Sequence, residues 1–355
     1  MISLEAHRGN NFHLIRLLAA IQVVILHHFE HFQINQISYA SVEKLIWNFP
    51  GVNVFFIVSG YLIFQSAERN TISDFFQKRV RRIYPALFVC FFITVALLLV
   101  FKCLSQNELF SKDFIVWLAA QTTFFQFYNP DIVRDFGFSP PNGALWTISV
   151  ELQFYVFVSL FWYFILKRLS SLNRNLVLIM LFIFSAAFNF YYNNHFHPES
   201  LSYKLSFVFV LSYLYLFIAG ALVYFNRSLI LPKLKGRAAY WIVIFILVSL
   251  FLNHFQIRYH RYAFNGLSFC MLLILVALIF SVAYTKTNFS DRLFKGNDFS
   301  YGIYLYQMLV LNTFFQIKSN NSLLSLVLSF SICLVMGVLS WFIVEKRFLK
   351  PTIRA

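Results

Sequence analysis

Residues 12–29 of this chain read FHLIRLLAAIQVVILHHF, an apolar run that carries two ionisable side chains, Arg16 and His27, within its length. Because an α-helix turns by about 100° per residue, the eleven-residue spacing returns both side chains to one face, about 16 Å apart along the axis. Ionisable groups within a membrane span normally face a bundle interior or a wet cavity. The run therefore predicts a membrane helix with a functional face. The alternative is that Arg16 extends to the headgroups and His27 lies near the far interface.

The composition extends this interpretation to the whole chain. Of its 355 residues, 59% are hydrophobic and 12% are charged, and the mean hydropathy is +0.68. These values lie outside the range of soluble globular domains and predict an all-α, polytopic membrane bundle. Ten stretches are long enough to cross a hydrocarbon core of about 30 Å. The predicted spans are 12–29, 50–66, 84–101, 145–166, 176–192, 205–225, 239–254, 264–284, 301–317 and 322–344.

An eleventh apolar stretch, residues 114–128, is short and contains four polar side chains. Suppose that this stretch does not cross the membrane and that the N-terminus is cytoplasmic. The cytoplasmic segments then hold 20 Lys and Arg residues, and the segments on the outer side of the membrane hold 8. This distribution follows the positive-inside rule at every loop and predicts both termini inside, with 114–128 re-entrant or interfacial. The net charge of +15 then has a topological cause, so it does not indicate nucleic acid as a partner.

The four cysteines are Cys90, Cys103, Cys270 and Cys333, which fall in or at the end of apolar spans. No CxxC or Cys/His spacing typical of a metal site is present, so we expect free thiols and no metal. The first span has no small-residue cleavage site after its apolar run and is expected to be an uncleaved signal anchor. No linker rich in Pro, Gly or Ser interrupts the chain, so residues 1–355 are predicted to form a single membrane-embedded domain.

A basic segment, DFFQKRVRRIYP at residues 74–85, precedes the third predicted span. If this segment is helical, Arg79 and Arg82 share a face and can bind phosphate with fork geometry. The alternative is an ordinary topology signal that binds anionic lipid. Pro85 favours the first turn of the helix that follows.

Two further segments carry polar side chains into predicted spans. In LWTISVELQFY, residues 145–155, Glu151 lies about two turns into a span with Tyr155 four residues on. A carboxylate in a membrane is costly unless it is protonated or paired, so Glu151 requires an Arg or His partner, and that pairing can be purely structural. In SYGIYLYQ, residues 300–307, three tyrosines open a span, a pattern that is also common for interface anchors.

Taken in order, these segments resemble acyltransferase family 3, a family of integral membrane acyltransferases. The resemblance implies a ten-span membrane domain with both termini inside. It also implies transfer of an acyl group, most often acetyl, from cytoplasmic acetyl-CoA or another acyl-CoA to a hydroxyl of a cell-envelope glycan or lipid-linked sugar, at the bacterial inner membrane. The matching elements are Arg16 with His27, GVNVFFIVSGYLIF at 51–64, Arg79 with Arg82 before Tyr84-Pro85, LWTISVELQFY at 145–155 and SYGIYLYQ at 300–307.

The resemblance implies a role for each candidate site residue. Arg79 and Arg82 would bind the phosphates of the acyl-CoA at the cytoplasmic mouth. His27, on the face it shares with Arg16, would deprotonate the acceptor hydroxyl or receive the acyl group itself. Glu151 would orient the imidazole or pair with Arg16. No metal is implied.

Two positions depart from the family pattern. Asn53 stands where many relatives have an acidic residue, and Gln307 stands where many have histidine. Some relatives carry a fused extracytoplasmic hydrolase-like domain that receives the acyl group. This chain is expected to act on its acceptor directly or with a partner from envelope polysaccharide synthesis.

Two other classes of function stay open at this point. A transporter or flippase of a lipid-linked saccharide would also place Arg, Glu and aromatic side chains in a membrane cavity. A non-catalytic partner of a polysaccharide-synthesis complex is the third interpretation.

Overall fold

The computed structural model describes residues 9–32, 46–138, 140–257, 259–318 and 323–349. Within these ranges every regular element is helical and there is no β-strand. Seven helices are long and apolar enough to cross a membrane, or eight if one bent pair counts as a single span. The prediction of an all-α, multi-pass membrane protein is therefore confirmed.

The helices are named here in chain order. The five short 3₁₀ turns are Glu108–Phe110, Asp131–Val133, Gly143–Leu145, Leu166–Arg168 and Val210–Ser212, and a π segment, Ser340–Glu345, joins the last two helices. The helices are α1 Phe12–Phe32, α2 Gly51–Arg69, α3 Ile72–Val100, α4 Lys112–Thr122, α5 Trp146–Phe164, α6 Ser171–His195, α7 Leu201–Phe207, α8 Leu214–Phe225, α9 Arg227–Leu234, α10 Ala238–His254, α11 Gly266–Tyr284, α12 Phe289–Phe294, α13 Ser300–Gln316, α14 Leu323–Leu339 and α15 Lys346–Leu349.

The start of α3 differs from the prediction. The helix begins at Ile72, so the basic segment belongs to it and Pro85 lies inside the helix rather than in its first turn. The backbone N–H of Asp74 donates to Thr71 Oγ1 (3.2 Å), and the Thr71 hydroxyl donates to the Asp74 carboxylate (2.9 Å). Thr71 thereby serves as the N-cap of the helix. The cap sets the boundary, and Pro85 removes only one backbone hydrogen bond.

The predicted span 205–225 is broken into separate helices, α7 and α8. The Gln153 side chain donates to the carbonyl of Val208 (2.9 Å) and accepts from the N–H of Val210 (2.9 Å). Because a side-chain amide takes over these backbone groups, the chain can leave the helical path between the two helices. At its other end α8 meets α9 at an angle of 94°.

The stretch 114–128 forms only one short helix. α4 has 11 residues and is therefore about 16 Å long, roughly half the thickness of a hydrocarbon core. The chain then turns, and Gln121 Nε2 donates to the carbonyls of Gln126 (3.3 Å) and Tyr128 (3.2 Å). The Gln121 side chain thus serves to close a turn.

The chain forms two compact units. The first consists of Met1–Ala19, Ser41–Phe76 and Gln153–Asn297, and the second of Ala20–Ala40, Gln77–Leu152 and Asp298–Ala355. That the whole chain acts as one domain stays a prediction.

Each unit contains a close helix pair that depends on glycine. In the first unit, a Cβ at Gly60 of α2 would collide with the carbonyl of Phe217 in α8. In the second unit, a Cβ at Gly337 of α14 would collide with Ile303 of α13. Small residues at such contacts let helix backbones approach closely, as is common in membrane bundles. In the second unit this packing leaves α13 buried from residue 300 to residue 312.

Candidate active site

His27 of α1 is paired with a carboxylate one turn further along the same helix. Its Nδ1 lies 3.1 Å from Glu30 Oε2, and the two side chains are 28% and 31% exposed. An ionised glutamate only accepts, so Nδ1 is the donor in this pair, and in the neutral imidazole Nε2 keeps its lone pair. A carboxylate that fixes the tautomer of a histidine is the arrangement of a general base. Sequence reasoning missed Glu30, although the i,i+3 spacing was visible.

The neighbouring His28 has the opposite character. It is 1% exposed, its Nδ1 lies 2.7 Å from the carbonyl oxygen of Val24, and its Nε2 lies 2.7 Å from Ser329 Oγ. Since a carbonyl only accepts, Nδ1 donates to it and Nε2 accepts from the serine hydroxyl. Both ring nitrogens are engaged, so His28 joins α1 to α14 as a packing residue.

Arg82 of α3 lies between two buried carboxylates. Its Nη2 is 2.7 Å from Asp298 Oδ2 and its Nη1 is 3.3 Å from Glu345 Oε2. The three side chains are 15%, 3% and 1% exposed, respectively. The guanidinium carbon also lies 5.6 Å from the ring centroid of Tyr301 and 5.9 Å from that of Trp341. We call these three charged residues the Arg82 cluster.

The remaining carboxylate oxygens of the cluster are also hydrogen-bonded. Asp298 Oδ1 accepts from the backbone N–H (3.2 Å) and the hydroxyl (2.5 Å) of Ser300, and Glu345 Oε1 accepts from the hydroxyl of Ser340 (2.8 Å). A buried ion pair is stable only when its other polar atoms are satisfied in this way. The cluster therefore connects α3, the start of α13 and the π segment.

The two arginines that the sequence assigns to one role have different surroundings. Arg82 faces two carboxylates, which oppose the approach of a phosphate to the same guanidinium. Arg79 lies three residues earlier in α3 and is half-buried. Phosphate binding stays a prediction for both residues. Neither Asp298 nor Glu345 was identified as a partner from the sequence.

The other candidate residues divide between the two units. Glu151 is half-buried on α5 and lies in the second unit, as do His27, Arg79 and Arg82, whereas Arg16 lies in the first unit. Both roles predicted for Glu151 stay open. Among the residues that the structure describes, no group of three or more His, Cys, Asp or Glu side chains could hold a metal ion.

The Arg82 cluster generates a stability prediction. The substitution Arg82→Met should lower the free energy of unfolding by about 3–5 kcal/mol, because it leaves two buried carboxylates without their cation. Adding Asp298→Asn and Glu345→Gln to the same protein should restore most of the loss. Thermal unfolding in detergent measures both effects.

An exposed ion pair supplies the control for this prediction. Arg134 Nε lies 3.5 Å from Asp131 Oδ1, and these side chains are 54% and 99% exposed. Arg134→Met should therefore cost at most about 1 kcal/mol. An Arg82→Met protein no less stable than the Arg134→Met protein would contradict the buried-cluster interpretation.

Comparison with known proteins identifies the family of the chain. The family described as an acyltransferase domain matches residues 10–345. The chain is 27% identical to nodulation protein 10 of Rhizobium leguminosarum bv. viciae, over 98% of this chain and 94% of that protein. It is 28% identical to the O-acetyl transferase of Shigella phage Sf6, over 97% of each.

A further relative is the peptidoglycan O-acetyltransferase OatA of Listeria monocytogenes serovar 1/2a, which is 26% identical over 75% of this chain and 45% of that protein. No solved structure matches the chain. Because the family match extends over nearly all of the described residues, including both His27 and the Arg82 cluster, this chain belongs to acyltransferase family 3.

Proposed function

We propose that this protein transfers an acyl group, acetyl in the first place, from an acyl-CoA to a hydroxyl of a cell-envelope glycan or lipid-linked sugar. The observation that carries the proposal is the His27–Glu30 pair, which is built as a general base in a chain of this family. The relatives named as O-acetyl transferase and peptidoglycan O-acetyltransferase support an oxygen-linked glycan acceptor. The CoA donor rests on the resemblance in sequence.

In the proposed reaction, His27 Nε2 takes the proton of the acceptor hydroxyl as its oxygen attacks the thioester carbonyl carbon. The carbon–sulfur bond then breaks, and the proton passes to the departing thiolate, so the products are an ester and free CoA. Glu30 holds the imidazole in the required tautomer and stabilises the imidazolium. Alternatively, Nε2 receives the acyl group first and passes it to the acceptor.

The arginines serve the donor in this proposal. Arg79 binds a phosphate of CoA, and Arg82, fixed by its two carboxylates, holds the segment that carries Arg79. Glu151 and Arg16 stay candidates for orienting groups near the reacting atoms.

Radiolabelled acetyl-CoA tests the proposal directly. Purified protein incubated with it and with candidate envelope glycans should yield labelled glycan and free CoA in equal amounts. A flippase of a lipid-linked saccharide would instead move the sugar between the leaflets of a vesicle without labelling it. A non-catalytic partner would do neither on its own.

The role of His27 gives a second prediction. His27→Ala should lower kcat by about 10²–10⁴-fold, the usual contribution of a general base, and Glu30→Gln should cause a smaller loss. Turnover of acetyl-CoA measures both effects. The control is His254→Ala at the exposed end of α10, because His28 is buried and bonded and its loss would disturb packing. A His27→Ala enzyme with parental kcat would remove the histidine from the mechanism.

We also propose that the chain crosses the bacterial inner membrane ten times with both termini inside. The distribution of basic residues and the shortness of α4 support this topology. In a variant without native cysteines, Arg134→Cys should react with a membrane-impermeant maleimide added to intact spheroplasts, and Lys233→Cys should react only after lysis. The reverse labelling of Arg134→Cys would show that residues 114–128 cross the membrane.

A further inference from the structure

Gln307, in the middle of α13, is a buried amide whose hydrogen-bonding groups are not used. Its side chain is 0% exposed, and neither Nε2 nor Oε1 has a hydrogen-bond partner among the described residues. Asn312 on the same helix is equally buried, but its Nδ2 donates to the carbonyl of Pro141 (2.9 Å) and its Oδ1 accepts from the N–H of Phe138 (3.0 Å). Burial alone therefore does not explain why the side-chain amide of Gln307 lacks hydrogen-bond partners.

The energetic cost of this arrangement calls for a partner. Each buried polar group without a hydrogen bond costs about 1–3 kcal/mol, and a leucine or methionine of similar size would avoid the cost. A small cavity of about 10 Å³ has room for one water molecule, but it is lined by Asn142, Thr94 and Gln121, among others, and not by Gln307. A water molecule in this cavity would not satisfy Gln307.

Gln307 lies on the helix that begins at the Arg82 cluster. α13 begins at the Arg82 cluster, where Tyr301 lies against the Arg82 guanidinium. Gln307 follows Tyr301 by six residues, which places it about 9 Å further along the helix axis, away from the cluster. A donor whose phosphates bind at Arg79 would extend its acyl-bearing arm into the same unit of the protein.

We propose that Gln307 binds the pantetheine arm of the acyl-CoA donor, an inference that rests on the proposed function. The pantetheine arm carries two secondary amides and a hydroxyl, so it offers both carbonyl acceptors and N–H or O–H donors. Gln307 Nε2 donates to a carbonyl of the arm, and Oε1 accepts from one of its N–H or O–H groups. The side chain thereby selects a thioester carried on an amide-containing arm.

Inhibition by pantetheine, which has the arm but none of the CoA phosphates, tests this binding. Gln307→Leu should weaken competitive inhibition by pantetheine about tenfold and raise the KM for acetyl-CoA by a similar factor, as expected for one lost hydrogen bond. The KM for the glycan acceptor should stay unchanged. Unfolding in detergent should show equal or higher stability, because the unpaired buried amide is removed.

Two matched variants separate this effect from others. Arg79→Lys should raise the KM for acetyl-CoA but leave inhibition by pantetheine unchanged, since it acts on a phosphate. Asn312→Leu removes a buried amide that is already hydrogen-bonded within the protein. It should therefore lower the stability of the protein without a selective loss of inhibition by pantetheine.

The inference and the proposed function fail in different ways. A parent protein that transfers no acetyl group from acetyl-CoA contradicts the proposed function. An active parent that pantetheine does not inhibit, or whose inhibition is unaltered in Gln307→Leu, overturns the inference alone and leaves an ordered water as the partner. If Gln307→Leu raises only the KM for the glycan, the side chain contacts the acceptor, and this result also overturns the inference.

Discussion

The second unit depends on the buried charge of Arg82. A guanidinium and two carboxylates that are 15%, 3% and 1% exposed have lost most of their hydration, so each is held in place by the others. Their partners lie on three separate elements: α3, the start of α13 and the π segment. A π turn shifts the register of the helix after it by one residue, and this one ends at Glu345. The π segment thus brings a carboxylate from the end of α14 to the cluster.

This constraint reaches the residues proposed to act on the donor. Arg79 lies one helical turn before Arg82, so fixing Arg82 also fixes the face of α3 on which Arg79 lies. On the other side of the cluster, α13 runs inward as a helix that is buried over most of its length, and the close contact between Gly337 and Ile303 holds it against α14. The same ion cluster therefore positions both the guanidinium of Arg79, which is proposed to bind phosphate, and the buried amide of Gln307.

The sequence predicts what depends on local patterns. Hydropathy identifies the helical membrane class, and helical spacing predicts a face of α1 that carries His27, which stays a prediction. It does not predict the Arg82 cluster, because Asp298 and Glu345 are 216 and 263 residues away from Arg82 and no local pattern connects them. Two boundaries fail for different reasons. The Thr71 cap, a local signal, outweighs the signal of Pro85. Gln153, far from 205–225 in sequence, interrupts that span.

The polar groups buried in this protein separate into two kinds. Those of His28, Asn312 and Arg82 have their hydrogen-bonding atoms engaged by other parts of the protein, so they fix the packing of helices where hydrophobicity cannot distinguish one helix face from another. Gln307 differs, because both polar atoms of its buried side chain lack a partner among the described residues, and the half-exposed His27 forms a hydrogen bond with them only at Nδ1. Several buried polar atoms lack a hydrogen-bond partner among the described residues, and in Gln307 both polar atoms of the side chain do. Such an atom can accept the bond of a substrate that the protein itself does not supply. This distinction, rather than residue type, separates His27 from His28 although they are adjacent in sequence.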